Sequence, residues 1–212
     1  TKTNKIGYVA AMGTDNSEVT SGIDAFALGI YSVNPQAQVY VKVTNSWYAP
    51  QKEEEAAKQL LDMDCDVIAQ HCDTSYPQTL AQERCVYSIG YNSDMSKNAP
   101  EACLCSVVWN WSAYYTTAVQ SIIDGTWDGS NYYGGMSENL VNVTSVANFA
   151  TAGTQEKVNE AKQQILTGKN GVFDGAIETN TGEIIGTAGS TLDDATITGA
   201  MNWYFKTVNV VE

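Results

Sequence analysis

The chain is short of positive charge, of histidine and of long apolar runs. Lysine and arginine number 11 against 24 aspartates and glutamates, a net charge of −13. A surface that acidic repels phosphate backbones and excludes nucleic acid as a partner. One histidine, His71, is present among 212 residues. That limits acid–base chemistry and leaves a metal ion without a second ligand cluster, so no metal is expected. No stretch reaches the ~18 apolar residues that a membrane-spanning helix needs. The start, Thr1-Lys2-Thr3-Asn4, has no initiator Met and no apolar leader core. A removed leader or a piece of a longer chain is expected. The motifs GxGxxG, GxxxxGK[ST] and GxSxG do not occur, which removes the common signatures of dinucleotide, nucleoside-triphosphate and serine-hydrolase sites. No cofactor is implied.

Charged residues make up 17% and hydrophobic ones 43%, a balance that argues for a folded core rather than disorder. At 212 residues the chain holds one to two domains. Five cysteines is an odd number. Cys103 and Cys105 sit two apart in a strand-like run, ~6.5 Å between Cα atoms, which is poor bridge geometry. Cys65, Cys72 and Cys85 lie in or beside apolar runs and read as buried thiols.

What is present is an alternation of two periods. Lys5–Ala10, Val39–Thr44, Cys65–Gln70, Val86–Tyr91 and Leu104–Trp109 read as strands. Between them, Ser17–Val33 places Val19, Ile23, Phe26, Ile30 and Val33 at steps of three and four, an amphipathic helix ended by Asn34-Pro35. Pro50 opens a helix over Gln51–Met63 with Glu53, Glu54 and Glu55 in its first turn, complementing the helix dipole. Tyr76–Gln82 is a shorter helix. This rhythm predicts βαβ units, a parallel sheet and helices on both faces. Ligands of such sheets lie beyond the C-terminal ends of the strands. That rule selects Ala11-Met12, Asn45-Ser46-Trp47, His71-Cys72-Asp73, Asn92-Ser93-Asp94 and Trp109-Asn110-Trp111.

The second half is less regular. It reads as a helix over Ser112–Asp124, with Tyr115, Ala118, Val119, Ile122 and Ile123 on its apolar side. A loop rich in glycine and aromatics follows over Thr126–Met136, then a strand over Leu140–Val146. A polar helix over Gln155–Leu166 and a hairpin within Ala176–Gly186, turning at Asn180-Thr181-Gly182, complete it.

Trp47, Trp109 and Trp111 all fall at strand ends on one rim, where a flat apolar ligand can lie between rings. Each is equally readable as a buried core indole. Asp73 and Asp94, on the same rim, can accept hydrogen bonds from ligand N–H or hydroxyl groups. Asp73 or Thr74 also reads as a cap for the Tyr76 helix. His71 and Cys72 cannot act as a dyad, because neighbours in an extended chain point to opposite sides.

Six segments together resemble a known family. They are KIGYVAAM at Lys5–Met12, VTNSWYAPQKEEEAA at Val43–Ala57 and DVIAQHCD at Asp66–Asp73. The others are YSIGYNSDMSKNAP at Tyr87–Pro100, SVVWNWSAYYTTAVQSIIDGTW at Ser106–Trp127, and MNWYF near the end. The chain resembles the basic membrane protein family, solute-binding lipoproteins of bacterial ABC importers similar to purine nucleoside receptors. The resemblance implies an α/β fold of type I periplasmic binding proteins. It implies a Rossmann-like lobe over residues 1–105, and over residues 106–212 a crossover helix, a partial remainder of the other lobe and a C-terminal return. It implies an extracytoplasmic, lipid-anchored or periplasmic protein without catalysis, an ABC permease as partner, and a purine base or nucleoside as ligand.

By that resemblance Trp47 stacks on the base and Asp94 binds polar ligand atoms. Trp109 replaces the lysine of the nucleoside receptors, which favours a free base over a nucleoside. His71 and Asp73 replace a glycine-rich stretch and become rim contacts. The family's first-lobe segment would precede the point matching Lys5. The chain is therefore expected to hold half a site, to expose apolar surface over roughly residues 111–153, to self-associate and to bind purines weakly or not at all by itself. The rival expectations are a nucleoside hydrolase using Asp94 and a ligand-sensing regulatory domain.

Overall fold

The computed structural model describes residues 1–169 and 171–212. Its centre is a seven-stranded sheet. The strands of the first half are β1 (Lys5–Ala10), β2 (Gln38–Val43), β3 (Val67–His71), β4 (Tyr87–Asn92) and β5 (Cys103–Trp109). Two further strands complete it, β6 (Val141–Val143) and, after a separate hairpin β7 (Ile177–Glu178) and β8 (Ile184–Ile185), β9 (Val208–Val210). The order is β6-β5-β4-β3-β1-β2-β9. All neighbours are parallel except β6, which runs antiparallel to β5. The central strands are apolar along their length because both faces are covered. Val9, Ala10, Val39, Val41 and Ile68 are fully buried.

The helices split between the two faces as the βαβ pattern predicts. Helix α1 (Ser17–Val33) packs its Phe26 ring 5.6 Å from that of Tyr8 on one face. The Asn16 side chain caps its start by accepting from the Val19 N–H at 3.2 Å. On the other face lie α2 (Pro50–Asp62) and α3 (Tyr76–Glu83), packed against each other. Gly7 is required there. A Cβ on it would lie 2.7 Å from Ile68 Cδ1 and 3.0 Å from Leu60 Cβ, so α2 approaches β1 only because that position has no side chain.

Helices α4 (Ser112–Ile123) and α5 (Thr154–Leu166) differ, since neither contains a buried residue. The apolar side of α4 forms as the spacing predicts but faces outward: Tyr115, Val119, Ile122 and Ile123 are between 56% and 72% exposed. Past α5 the chain returns to the main core. Phe173, Ile177, Met201, Tyr204, Phe205 and Val208 join the same buried cluster as Val9 and Ile23.

Several expectations need correction. The strand expected over Leu140–Val146 shrinks to the three residues of β6. Helix α6 (Asp194–Gly199) and β9 carry too few apolar residues to stand out by periodicity, and both are stabilised by what they pack on. Cys85 is exposed rather than buried, at a turn with φ of 54°. Glu53 is not a solvent-facing partner of the helix dipole. It is buried and accepts hydrogen bonds from the Ala49 N–H at 2.8 Å and from the Thr74 hydroxyl.

Candidate functional site

From β1 the chain moves to β2 on one side, and β3 lies on the other. The order reverses there, which is where such sheets hold ligands, in a crevice beyond the strand ends. At that point Ala10 of β1 pairs with His71 of β3. The loop after β2 bends across the gap, because the Asp73 N–H donates to the Trp47 carbonyl at 2.9 Å. This brings the Trp47 ring to 6.0 Å from the His71 ring, edge to face. The His71 ring lies 4.3 Å from that of Tyr91 on β4. Trp109, at the end of β5, stands near the Tyr91 hydroxyl. Its own ring stacks on Trp111 at 5.3 Å, and Trp111 stacks on Tyr115 at 5.8 Å. A row of rings thus crosses the strand ends from Trp47 to Trp109 and continues onto α4.

Two cavities lie along this row. The larger, about 600 Å³, is bounded by Trp109 and Trp111, by Glu18 and Ser21 in the first turns of α1, and by Trp127 and Tyr132 of the aromatic loop. The smaller, about 280 Å³, lies between Phe26 of α1 and the sheet, with Tyr8, His71, Tyr91 and Val107 on its wall.

His71 is 5% exposed. Burial away from any acidic partner pushes its pKa down to about 4, so it is neutral at physiological pH. Its Nδ1 lies 3.4 Å from the Tyr8 hydroxyl. Its Nε2 is buried with no hydrogen-bond partner among the described residues. A Cβ on Gly22 would lie 3.0 Å from both Cε1 and Nδ1, so α1 passes close against that edge of the ring. Burial also raises the Tyr91 phenol to about 12. Cys72 points away from His71 to the Val9 carbonyl, at 3.7 Å, as strand alternation requires.

The two aspartates stand apart from the rings. Asp73 is exposed and accepts from the Asn92 amide at 3.4 Å. It does not cap α3, whose first turn is met by Thr74 Oγ1 accepting from the Tyr76 N–H at 3.3 Å. Asp94 is exposed and closes its own turn by accepting from the Ser96 N–H at 3.0 Å, which lowers its pKa. Neither lines the two cavities. Among the described residues no group of three or more His, Cys, Asp or Glu side chains can hold a metal ion. Sequence reasoning missed Tyr8, Tyr91 and Gly22. A signal existed for Tyr91, two residues after Ile89 on the same face of β4, but only strand pairing reveals that it meets His71.

The fold is that of α/β proteins with ligand crevices beyond a parallel sheet. Two solved structures share it. A transcriptional activator of the comK gene from Bacillus halodurans has a TM-score of 0.69 and 20% identity, covering 80% of this chain and 59% of its own. An ABC transporter solute-binding protein from Conexibacter woesei has a TM-score of 0.61 and 19% identity, covering 79% and 56%. The family follows from sequence. The profile of the Bmp family, described as ABC transporter substrate-binding protein PnrA-like, matches residues 1–172, and the chain belongs to that family.

A purine-binding protein of Brucella abortus is 36% identical over 203 residues, 96% of this chain and 57% of the relative. A provisionally named ABC transporter glucose-binding protein of Haloferax volcanii is 34% identical over 176 residues, 83% of this chain and 44% of the relative. The chain therefore spans about half the length of these relatives. No helix among the described residues is long and apolar enough to cross a membrane.

Proposed function

We propose that the chain is the ligand-binding portion of an extracytoplasmic solute-binding protein that delivers a purine-like heterocycle to an ABC permease. The observation that carries this reading is the row of rings from Trp47 through His71 and Tyr91 to Trp109, set at the point where the strand order reverses. Aromatic faces hold flat solutes by stacking, worth ~0.5–1.5 kcal/mol per pair beyond area burial. Carbohydrate recognition needs convergent polar side chains as well, whereas most of the smaller cavity's wall is carbon, with Tyr8, Gln70, His71 and Tyr91 as its polar side chains. That contrast favours the ligand named for the Brucella relative over the one named for the Haloferax relative.

In this reading Trp47 and His71 contact the ligand directly and Trp109 walls the larger cavity. Asp73 and Asp94 reach polar ligand atoms from the solvent side, and the site has no catalytic role. The lobe over residues 1–105, the remainder over 106–212 and a lipid anchor belong to the same proposal. So does association of the chain through the outward face of α4. Where a nucleoside receptor presents a lysine, Trp109 offers no charge, so a free base binds at least as well as its nucleoside.

Calorimetric titration with hypoxanthine, adenosine and glucose tests this reading. Saturable, weak binding of the base is expected, with adenosine no tighter and glucose silent. Adenosine binding tenfold tighter, ~1.4 kcal/mol, would overturn the base preference. Binding of glucose in place of the purines would overturn the ligand class.

A further inference from the structure

We infer that His71 is a specificity-determining contact whose Nε2–H donates a hydrogen bond to an acceptor atom on the edge of a flat heteroaromatic ligand, with Tyr8 fixing the tautomer; this deepens the solute-binding reading and rests on it. Tyr8 is buried in β1. Burial holds its phenol well above the ordinary value, so the hydroxyl keeps its proton. Among the described residues its one hydrogen-bond partner is His71 Nδ1, at 3.4 Å. A buried hydroxyl donates where an acceptor is in reach, because an unmet donor in an apolar setting is costly. Nδ1 is therefore the acceptor and carries no hydrogen. A neutral imidazole has one N–H, which then sits on Nε2.

That N–H is buried and has no acceptor among the described residues. The passage of α1 at Gly22 holds the Nδ1–Cε1 edge of the ring. The edge carrying Nε2 and Cδ2 is free of that contact, and His71 lies with Tyr8 and Gly22 on the wall of the 280 Å³ cavity. Around it most of the wall is carbon, from Phe26, Ile89 and Val107, with the Gln70 amide and the Tyr91 phenol as its further polar groups. The complement is a planar ring system presenting an unprotonated ring nitrogen or a carbonyl oxygen, as a 6-oxopurine does. A ring that presents only N–H at that edge meets donor with donor and is rejected. Leaving a buried polar group unpaired is what gives such sites their discrimination.

The chain has a single histidine, so its ring signals need no assignment. Long-range proton–nitrogen correlation on the nitrogen-labelled chain at neutral pH reads the tautomer directly. Protonated Nε2 and bare Nδ1 are expected; a proton on Nδ1 would overturn the inference. Millimolar titrations with benzimidazole and indole, matched bicycles that differ by one ring acceptor, then read the preference. Benzimidazole is expected to move the Nε2 signal and to bind at least tenfold tighter than indole. Equal binding of the two, or none by either, would overturn the inference.

His71→Gln, which keeps an N–H donor near the Nε2 position, is expected to retain the preference and His71→Leu to lose it. Loss in both, with the fold intact, would count against a donor role. Hypoxanthine titrated in parallel separates the two readings. If benzimidazole engages His71 and hypoxanthine does not bind, the purine reading falls and the donor role stands. If hypoxanthine binds and leaves the histidine signals unmoved, the donor role falls and the purine reading stands.

Discussion

Helices α2 and α4 have the same kind of sequence and opposite fates. Each spaces its apolar residues at helical period, yet α2 buries Ala56, Ala57, Leu60 and Leu61 while α4 leaves Val119, Ile122 and Ile123 exposed. The difference lies in the neighbours. Helix α2 lies across β1 and β2, whose Gly7 opens room for it, and α3 closes its flank. Helix α4 follows β5, and among the described residues no sheet face or helix covers its apolar side. Periodicity identifies the face that seeks cover; only tertiary structure supplies the cover.

The largest expected effect separates these two helices. Leu60→Ala, at a fully buried site, should cost about 2–5 kcal/mol in denaturant unfolding. Ile122→Ala, at a site 60% exposed in the single chain, should fall within about 0.5 kcal/mol of the parent at concentrations where the chain is monomeric. A large cost at Ile122 would mean that α4 is covered in solution. Light scattering on the same protein then reports whether a second copy covers it.

Gly7→Ala sharpens the comparison from the sheet side. The added methyl group meets Ile68 and Leu60, and overpacking of this kind costs about 1–3 kcal/mol. A neutral outcome would show that α2 is free to shift, and so is held less firmly than its burial implies.

The same contrast applies to binding. Trp47 is anchored to the buried region through the Asp73 N–H, whereas Tyr115 sits on the exposed face of α4. Trp47→Ala should weaken purine binding by about 1–3 kcal/mol, the range for base–aromatic stacking. Tyr115→Ala should leave the affinity unchanged. The reverse result would move the site onto α4.

The smallest effect is a pH dependence confined to the buried region. Asp24 on α1 accepts from the Phe205 N–H at 2.8 Å and ties the returning tail to the core. Burial pushes its carboxyl up to about 8, from 3.8. The folded form therefore holds a proton that the unfolded chain releases, and stability falls as pH rises from about 4 to 8. His71 acts in the opposite sense. Its pKa drops from 6.5 to about 4, so stability falls as pH drops through that window. Above pH 6.5 Asp24 alone contributes of the two, and Asp24→Asn should flatten the decline towards pH 8. An unchanged slope in thermal melts would remove Asp24 as its source.

Much of the fold was legible because β1 to β5 are short apolar runs that alternate with amphipathic helices, and each segment agrees with its neighbours. The bounds of α1, Ser17 to Val33, could be read directly from the spacing of its apolar residues and its Asn34-Pro35 stop. What could not be read depends on distant partners. Strand β9 has three residues and exists by pairing with β2, and Asp24 looks like any helix-surface carboxylate until Phe205 reaches it. The candidate site shows the same division. Its strand-end rule selected Trp47, His71 and Trp109. The join between His71, Tyr8 and Tyr91 crosses three strands and leaves no local trace.

The most direct test of the account is a crystal structure of the chain with hypoxanthine. Density for the base is expected in the crevice beside Trp47, with an acceptor atom within hydrogen-bond distance of His71 Nε2. Density on the exposed rings of α4, with the crevice unchanged, would contradict it.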